Sequence, residues 1–457
     1  MKHSSDVLVI GAGTAGLMCA LECAARGLTV NVLEAAPYIG GSLHVSAGHM
    51  SAAGTRRQAA LGIEDHPDTH FREVMEIGGG AADATLVRLA VDEAPRVVDW
   101  LEDQGFEFAP GTPAIYHGHS AYSVPRTYWG VDNGHSILAV LQRLIRQYVV
   151  EGSVRIHLST PMKDLIVEDG WVRGALVGVE RREEFHAEVT VLATGGYGSN
   201  EDLYRELTPG VTRLVTNAIP TAQGDGLRSA RSLGAAVRFG ELHTPRIGLL
   251  ERQTGRSDFW AEILHLDAFS SGFVWVNEAG ERFVDELNST ITEREHSVLT
   301  QPGSTFWIVF TESSLAGQAL ASSWDIDRLR EEAALGDVAW SSSDPRQLAI
   351  QAGIDPDGLA ATLERSDVAK TEPAGDLYAI RSTASLLCAF GGLVVDSEFR
   401  VMTRRGREIP GLRAIGEVLG MGATSGAAFC GGMAVTPALA FGRILGRSLR
   451  TEVSSSP

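Results

Sequence analysis

Asp6–Glu34 reads DVLVIGAGTAGLMCALECAARGLTVNVLE, and the fold turns on this stretch. Val7-Leu8-Val9-Ile10 is a short apolar run of the kind that forms a strand buried on both faces. It leads directly into Gly11-Ala12-Gly13-Thr14-Ala15-Gly16. A helix-period segment follows from Thr14 to about Arg26, with Gly27 as its C-terminal cap. Leu28–Leu33 then reads as a second buried strand ending in Glu34. Each part has a physical task. Gly11 permits the tight turn, Gly13 lets the backbone approach a pyrophosphate, and Gly16 lets helix and strand pack closely. The helix start at Thr14 and Ala15 presents N–H groups and a positive dipole to phosphates. Glu34, 18 residues after Gly16, can accept hydrogen bonds from ribose hydroxyls. The order of strand, glycine turn, helix, strand and acid predicts a dinucleotide-binding βαβ unit, with NAD and FAD both open at this point.

A chain of 457 residues is too long for one ordinary core, so two or three domains are expected. The formal charge of -18 argues against nucleic acid or an anionic membrane as partner. The 4 cysteines lack metal-ligand spacing; Cys19 and Cys23 read as small core residues of the first helix, and no metal is expected. This cysteine usage fits a reducing cytoplasm. The chain enters a strand at once, leaving no room for a signal peptide, and no apolar run reaches the ~18 residues of a membrane span. A cytoplasmic location is the expectation.

Further along, Gly40-Gly41-Ser42 suggests a loop beside the cofactor, and Val45–Ala53, with Gly48, is small enough to pack under a flat ring. Ala84–Gln104 and Ser136–Val149 have helical periodicity. Between them lie Tyr116, His117, His119, Tyr122, Arg126, Tyr128 and Trp129. Asp169-Gly170 signals a hairpin turn. The buried strand Val189–Leu192 runs into Ala193-Thr194-Gly195, and Gly224-Asp225-Gly226 precedes a helix. From about Phe239 to Asp376 the texture turns polar and loop-rich, as an inserted domain would. Afterwards the character of the first part returns, through Gly391–Asp396, Gly416-Glu417 and a final helix begun by Thr436-Pro437. The expected division is therefore 1–238, 239–376 and 377–457.

These segments together resemble the flavoprotein family of fumarate reductase, succinate dehydrogenase and 3-ketosteroid dehydrogenases. In chain order the matching motifs are GAGTAG, GGS with AGHMSAA, LATGGYGSN, GDG with LGAAV, GERFVDE, GGLVVD, IPGLRAIGEV and TPALAFGR, covering nearly the whole chain. The resemblance implies an α/β fold: a Rossmann-like FAD-binding domain in two sequence pieces with an inserted α+β capping domain. It implies Gly11, Gly13, Thr14, Ala15 and Gly16 at the FAD pyrophosphate and Glu34 at the adenosine ribose. Ala193, Thr194 and Gly195 would line the adenine side, and Glu417 the ribityl or pyrophosphate region. Gly41, Ser42, Gly48, Asp225 and Gly416 complete the cofactor set. The helix after Thr436 would aim its positive end at the flavin N1–C2 carbonyl and stabilise reduced flavin. The succinate dehydrogenase branch attaches FAD to a histidine where Ser42 stands here, with His44 two positions on. Non-covalent FAD is therefore expected.

The family moves a hydride between flavin N5 and the carbon β to a carbonyl, so it needs a proton-transfer residue and a carbonyl-binding group. Soluble fumarate reductases carry a proton-donating arginine after the GxRFVxE motif. Arg294, between Glu293 and Glu295, is the nearest match at a slightly longer spacing, although such a charge run is more often a solvated helix face. Thr290 stands where the ketosteroid dehydrogenase branch has a tyrosine. His243 falls where fumarate reductases bind substrate through histidine; a structural histidine is the competing reading. Cys388 replaces a second family histidine, and Phe429 replaces the arginine that clamps a substrate carboxylate. A phenyl ring there removes bidentate recognition and leaves an apolar wall, which disfavours fumarate and succinate. Tyr122, Arg126 and Tyr128 are candidates to touch substrate, or else to pack between the two domains.

The expectation is an FAD-dependent oxidoreductase of CH–CH groups acting on a ketone, cyclic ketone or steroid-like compound. The alternatives are a fumarate-reductase-like enoate reductase using Arg294 as proton donor, and an electron-transfer flavoprotein subunit. With no haem or iron–sulfur motif, an external electron donor or acceptor is expected.

Overall fold

A computed structural model describes residues 2–117, 120–178, 183–209, 215–243, 245–252, 257–259, 272–315, 326–366, 368 and 376–450. His119 of the aromatic stretch lies outside these residues.

The first and last parts of the chain share an eight-stranded sheet. Its order is Arg400–Met402, Glu408–Ala414, Glu183–Leu192, Lys2–Ile10, Val30–Leu33 and Val154–His157. Every neighbour pair from Glu408–Ala414 to Val154–His157 is parallel. Val7–Ile10 and Val30–Leu33 are buried throughout, as strands covered on both faces must be. Met162–Glu168 and Trp171–Val177 form the expected hairpin, with Asp169 and Gly170 both at positive φ (50° and 80°), and join the sheet through Glu183–Leu192.

The first helix, Thr14–Ala24, packs along the final helix, Val435–Ser448. Charge ties them together: the buried Glu22 and Arg443 meet at 3.3 Å, the exposed Arg447 reaches Glu22 at 2.9 Å, and Arg443 also reaches Glu93 at 2.5 Å. The two ends of the chain thereby become one layer over the parallel sheet.

A second sheet of six antiparallel strands stands apart in sequence. Ser257–Phe259, Arg246–Glu251, Leu377–Ser385, Thr305–Thr311 and Phe273–Val276 follow one another, and Ala339–Ser342 pairs with Leu377–Ser385. Alternation along Thr305–Thr311 serves two cores. Phe306, Ile308 and Phe310 enter one apolar cluster, while Trp307 and Val309 enter the other. The expected boundary at 376/377 falls just before a strand of this second sheet. Leu377–Ser385 is a strand of this second sheet, with its register set by pairing with Thr305–Thr311 and not by its neighbours in sequence. No helix among the described residues is long and apolar enough to cross a membrane.

Candidate active site

A cavity of about 590 Å³ opens where the glycine turn, the second loop and the start of the final helix meet the second sheet. That volume is in the range of small-molecule sites. Gly11, Gly13, Thr14, Ala15, Glu34, Gly41, Ser42, Ala193, Thr194, Gly195, Asp225, Gly416 and Glu417 all line it. Gly16, Gly48 and Thr436, expected beside them, stand behind the wall. A Cβ on Gly16 would lie 1.9 Å from the Gly11 carbonyl oxygen, so this glycine lets the helix close against the turn. Gly48 packs on the backbone of Asn133. The Thr436 hydroxyl accepts from the Ser51 N–H at 2.8 Å and donates to the Ser51 carbonyl at 3.1 Å, pinning the first turn of the final helix. That helix starts at Val435, and Val435 and Pro437 line the cavity.

Several features fit an adenine dinucleotide. A Cβ on Gly13 would meet nothing within 4 Å, leaving open space over the turn where a pyrophosphate needs close backbone approach. Glu34 is fixed by the N–H groups of Ala12 and Ala36, both at 2.8 Å, one on each carboxylate oxygen. Each oxygen keeps acceptor capacity for a ribose hydroxyl. The Thr194 hydroxyl is buried without a hydrogen-bond partner among the described residues, a vacancy an adenosine group can satisfy. Burial pushes the Glu417 carboxyl up to about 7, against the opposing N–H of Ala389 at 3.2 Å. His44 lines the same wall, with its ring nitrogens at hydrogen-bond distance from the Ile39 carbonyl (2.8 Å) and from His135 (3.3 Å).

On the side of the second sheet, Arg294 reaches the cavity from the helix Ile291–Leu299. Thr290 and Glu293 close a capping box at its start, through Thr290 N–H to Glu293 at 2.7 Å and Glu293 N–H to Thr290 at 3.2 Å. Ile291, Arg294, Glu295 and Val298 form the buried stripe, at the spacing of one helix face. Arg294 is 2% exposed, and its Nη1 donates to the Glu286 carbonyl at 2.5 Å. Burial lowers its pKa below the ordinary arginine range, although Glu295, Glu286 and Glu293 oppose the shift. Glu295 also lines the cavity and was not among the expected site residues. Its signal was its spacing, four residues after Ile291 and three before Val298.

Phe429 lines the cavity together with Cys388 and Met421, in an apolar cluster that also includes Phe390. The structure places the other expected substrate residues away from the cavity wall. The Arg126 guanidinium is wholly buried and grips Asp65 through two bonds of 2.9 Å, with Glu73 at 3.4 Å. Tyr122 donates to the Gly431 carbonyl at 2.8 Å, and Tyr128 shares a 2.6 Å bond with Thr55. None of the three lines the cavity, because each polar tip is engaged inside the core. His243 does not line it either. Its Nδ1 bonds the Tyr204 hydroxyl, and burial, helped by His296, lowers its pKa to about 4, so it is neutral near pH 7.

Known proteins resemble this chain in sequence and fold. The chain is 27% identical over 465 residues to a fumarate reductase (cytochrome) of Shewanella frigidimarina, covering 96% of this chain and 76% of that one. It is 30% identical over 293 residues to a vinyl phenol reductase of Lactiplantibacillus plantarum, covering 62% and 57% respectively. The solved structure of a 3-ketosteroid Δ1-dehydrogenase from Sterolibacterium denitrificans superposes with a TM-score of 0.78 at 19% identity, over 97% of this chain and 99% of that one, a likeness of fold. Fold, cradle and relatives together define an FAD-dependent oxidoreductase acting on CH–CH groups. The FAD-binding domain family matches residues 6–434, and the chain belongs to it.

Proposed function

We propose that this chain dehydrogenates, or in reverse reduces, the carbon–carbon bond next to the carbonyl of a neutral ketone, cyclic ketone or steroid-like compound. The observation that carries the reading is the make-up of the cavity wall. Phe429, Cys388 and Met421 are apolar, and Arg294 is the one arginine or lysine among the described lining residues. A four-carbon diacid asks for a cationic partner at each carboxylate, which a single guanidinium that also handles a proton does not supply.

FAD, when bound, supplies the two-electron chemistry by giving or taking a hydride at N5. Gly11, Gly13 and Glu34 would hold its dinucleotide end, and the final helix would face its flavin. Non-covalent attachment is part of the proposal, since Ser42 offers no imidazole and both His44 nitrogens have neighbours. Arg294 holds the proton exchanged with the substrate α-carbon. Its backbone anchor on Glu286 fixes the guanidinium, and its lowered pKa makes it a better acid. The unit built on the second sheet acts as the cap that carries this residue, and an external carrier exchanges electrons with the flavin.

An anaerobic spectral screen tests the reading. Enones should bleach no oxidised flavin but reoxidise the reduced protein, and saturated ketones should do the reverse. Arg294→Ala should lower turnover about 100- to 10,000-fold with FAD retained. Fumarate as the sole effective oxidant would sink the proposal.

A further inference from the structure

Glu295 is the buried polar group that the proposed chemistry leaves without a task. It is 4% exposed, lines the cavity, and sits next to Arg294 on the inward stripe of Ile291–Leu299. Its Oε2 has no hydrogen-bond partner among the described residues, and neither does Nη2 of Arg294. Of the other carboxylates near Arg294, Glu293 is spent on the capping box and is exposed, and Glu286 is taken by the Trp275 N–H and the Arg282 guanidinium. Two buried, unsatisfied polar atoms on neighbouring residues of the cavity wall are costly unless a ligand pairs with them.

The form of the Glu295 carboxyl follows from its surroundings. Burial pushes its pKa up to about 8, and the nearby Arg294 only partly opposes this. A carboxyl in that state carries an O–H and can donate as well as accept. With the Nη2–H of Arg294, the preceding residue on the helix, it gives the cavity wall two donors that no described acceptor meets.

We infer that Glu295 donates a hydrogen bond to the substrate's carbonyl oxygen, which makes it a catalytic residue for the reaction proposed above. The inference rests on that carbonyl reading. Charge gathers on the carbonyl oxygen as the α,β-bond reacts, and a preplaced donor in a dry site stabilises it there. The labour is divided: Arg294 exchanges the proton at carbon and Glu295 holds the oxygen. No covalent bond to Glu295 forms or breaks. A planar conjugated ketone fits both the apolar wall and the donor.

Glu295→Gln and Glu295→Leu, prepared as FAD-loaded holoenzymes, separate the possibilities. Glutamine keeps an N–H donor in nearly the same shape; leucine keeps volume alone. The probe is p-dimethylaminocinnamaldehyde, a conjugated carbonyl whose absorption moves to longer wavelength when its oxygen accepts a hydrogen bond. The wild type and Glu295→Gln should both show the shift on binding, and Glu295→Leu should not. For an enone that the wild type turns over, kcat/KM should fall about 100-fold in Glu295→Leu and less than about 10-fold in Glu295→Gln. A Glu295→Leu protein that keeps both the shift and the rate overturns the inference. So does a Glu295→Gln protein as impaired as the leucine variant, since the carboxyl would then act through charge or proton transfer. A wild type that neither shifts the probe nor turns over any carbonyl compound overturns the carbonyl reading itself, which a failure confined to the variants does not.

Discussion

Arg126 shows how a residue can look functional and be structural. In sequence it sits among tyrosines, histidines and a tryptophan, the company of a ligand pocket. In the fold its two closest acidic partners, Asp65 and Glu73, come from 61 and 53 residues away. Nothing local announces such a pair, because an ion pair of this kind exists only once the chain has closed. The same closure decides the rest of the site. Phe429 was legible as an absence of charge at a motif position, whereas Glu295 was hidden in what reads as a surface charge run. Arg126→Met should leave Asp65 buried and unpaired and destabilise the protein by about 3–5 kcal/mol, read from urea denaturation. Substrate KM, measured on the FAD-loaded folded fraction, should stay within about 2-fold of wild type, because the guanidinium lies off the cavity. A raised KM in a variant of unchanged stability would return Arg126 to the pocket.

At the scale of elements, the opening βαβ unit was readable because its information is local. The glycine spacing, the strand lengths and the terminal acid lie within one short stretch, and each feature has its own steric or electrostatic cause. The second sheet was less readable, since Leu377–Ser385 takes its place by pairing with Thr305–Thr311 across a long separation. The glycines of the opening turn separate packing from binding. A Cβ on Gly16 meets the Gly11 carbonyl oxygen at 1.9 Å, so Gly16→Ala must push the first helix off its strand. The expected cost is about 1–3 kcal/mol, with loss of FAD as a consequence. A Cβ on Gly13 meets no protein atom within 4 Å, so Gly13→Ala should fold with near-normal stability in the FAD-free state. It should nevertheless lose FAD, because the methyl group takes the space of the pyrophosphate. Flavin absorbance per polypeptide, set beside the denaturation midpoint of each stripped variant, distinguishes the two. Equal stability losses in both would mean that the open space over Gly13 is not a binding space.

At the scale of the molecule, the cavity joins parts of the chain that are far apart in sequence. Gly13 and Glu34 come from the beginning, Gly416, Glu417 and Val435 from the end, and Arg294 with Glu295 from the helix Ile291–Leu299 in between. A ligand that touches all three parts favours the state in which they are assembled, so binding and stability are linked. FAD held without a covalent bond should then behave as a removable staple. Stripping it should lower the thermal midpoint, and adding FAD back at about 100 times its dissociation constant should restore about 2.7 kcal/mol. On acid or heat denaturation of the holoenzyme, the flavin should pass entirely into the supernatant, because Ser42 provides no ring nitrogen for attachment. Flavin that remained with the precipitated polypeptide would point to His44 as an attachment site. Its ring would then have to exchange the Ile39 or His135 contact for a bond to the cofactor. A stripped protein whose midpoint ignored added FAD would instead mean that FAD does not bind the folded chain in preference to the unfolded one, and the cavity would lose its assignment as the cofactor site.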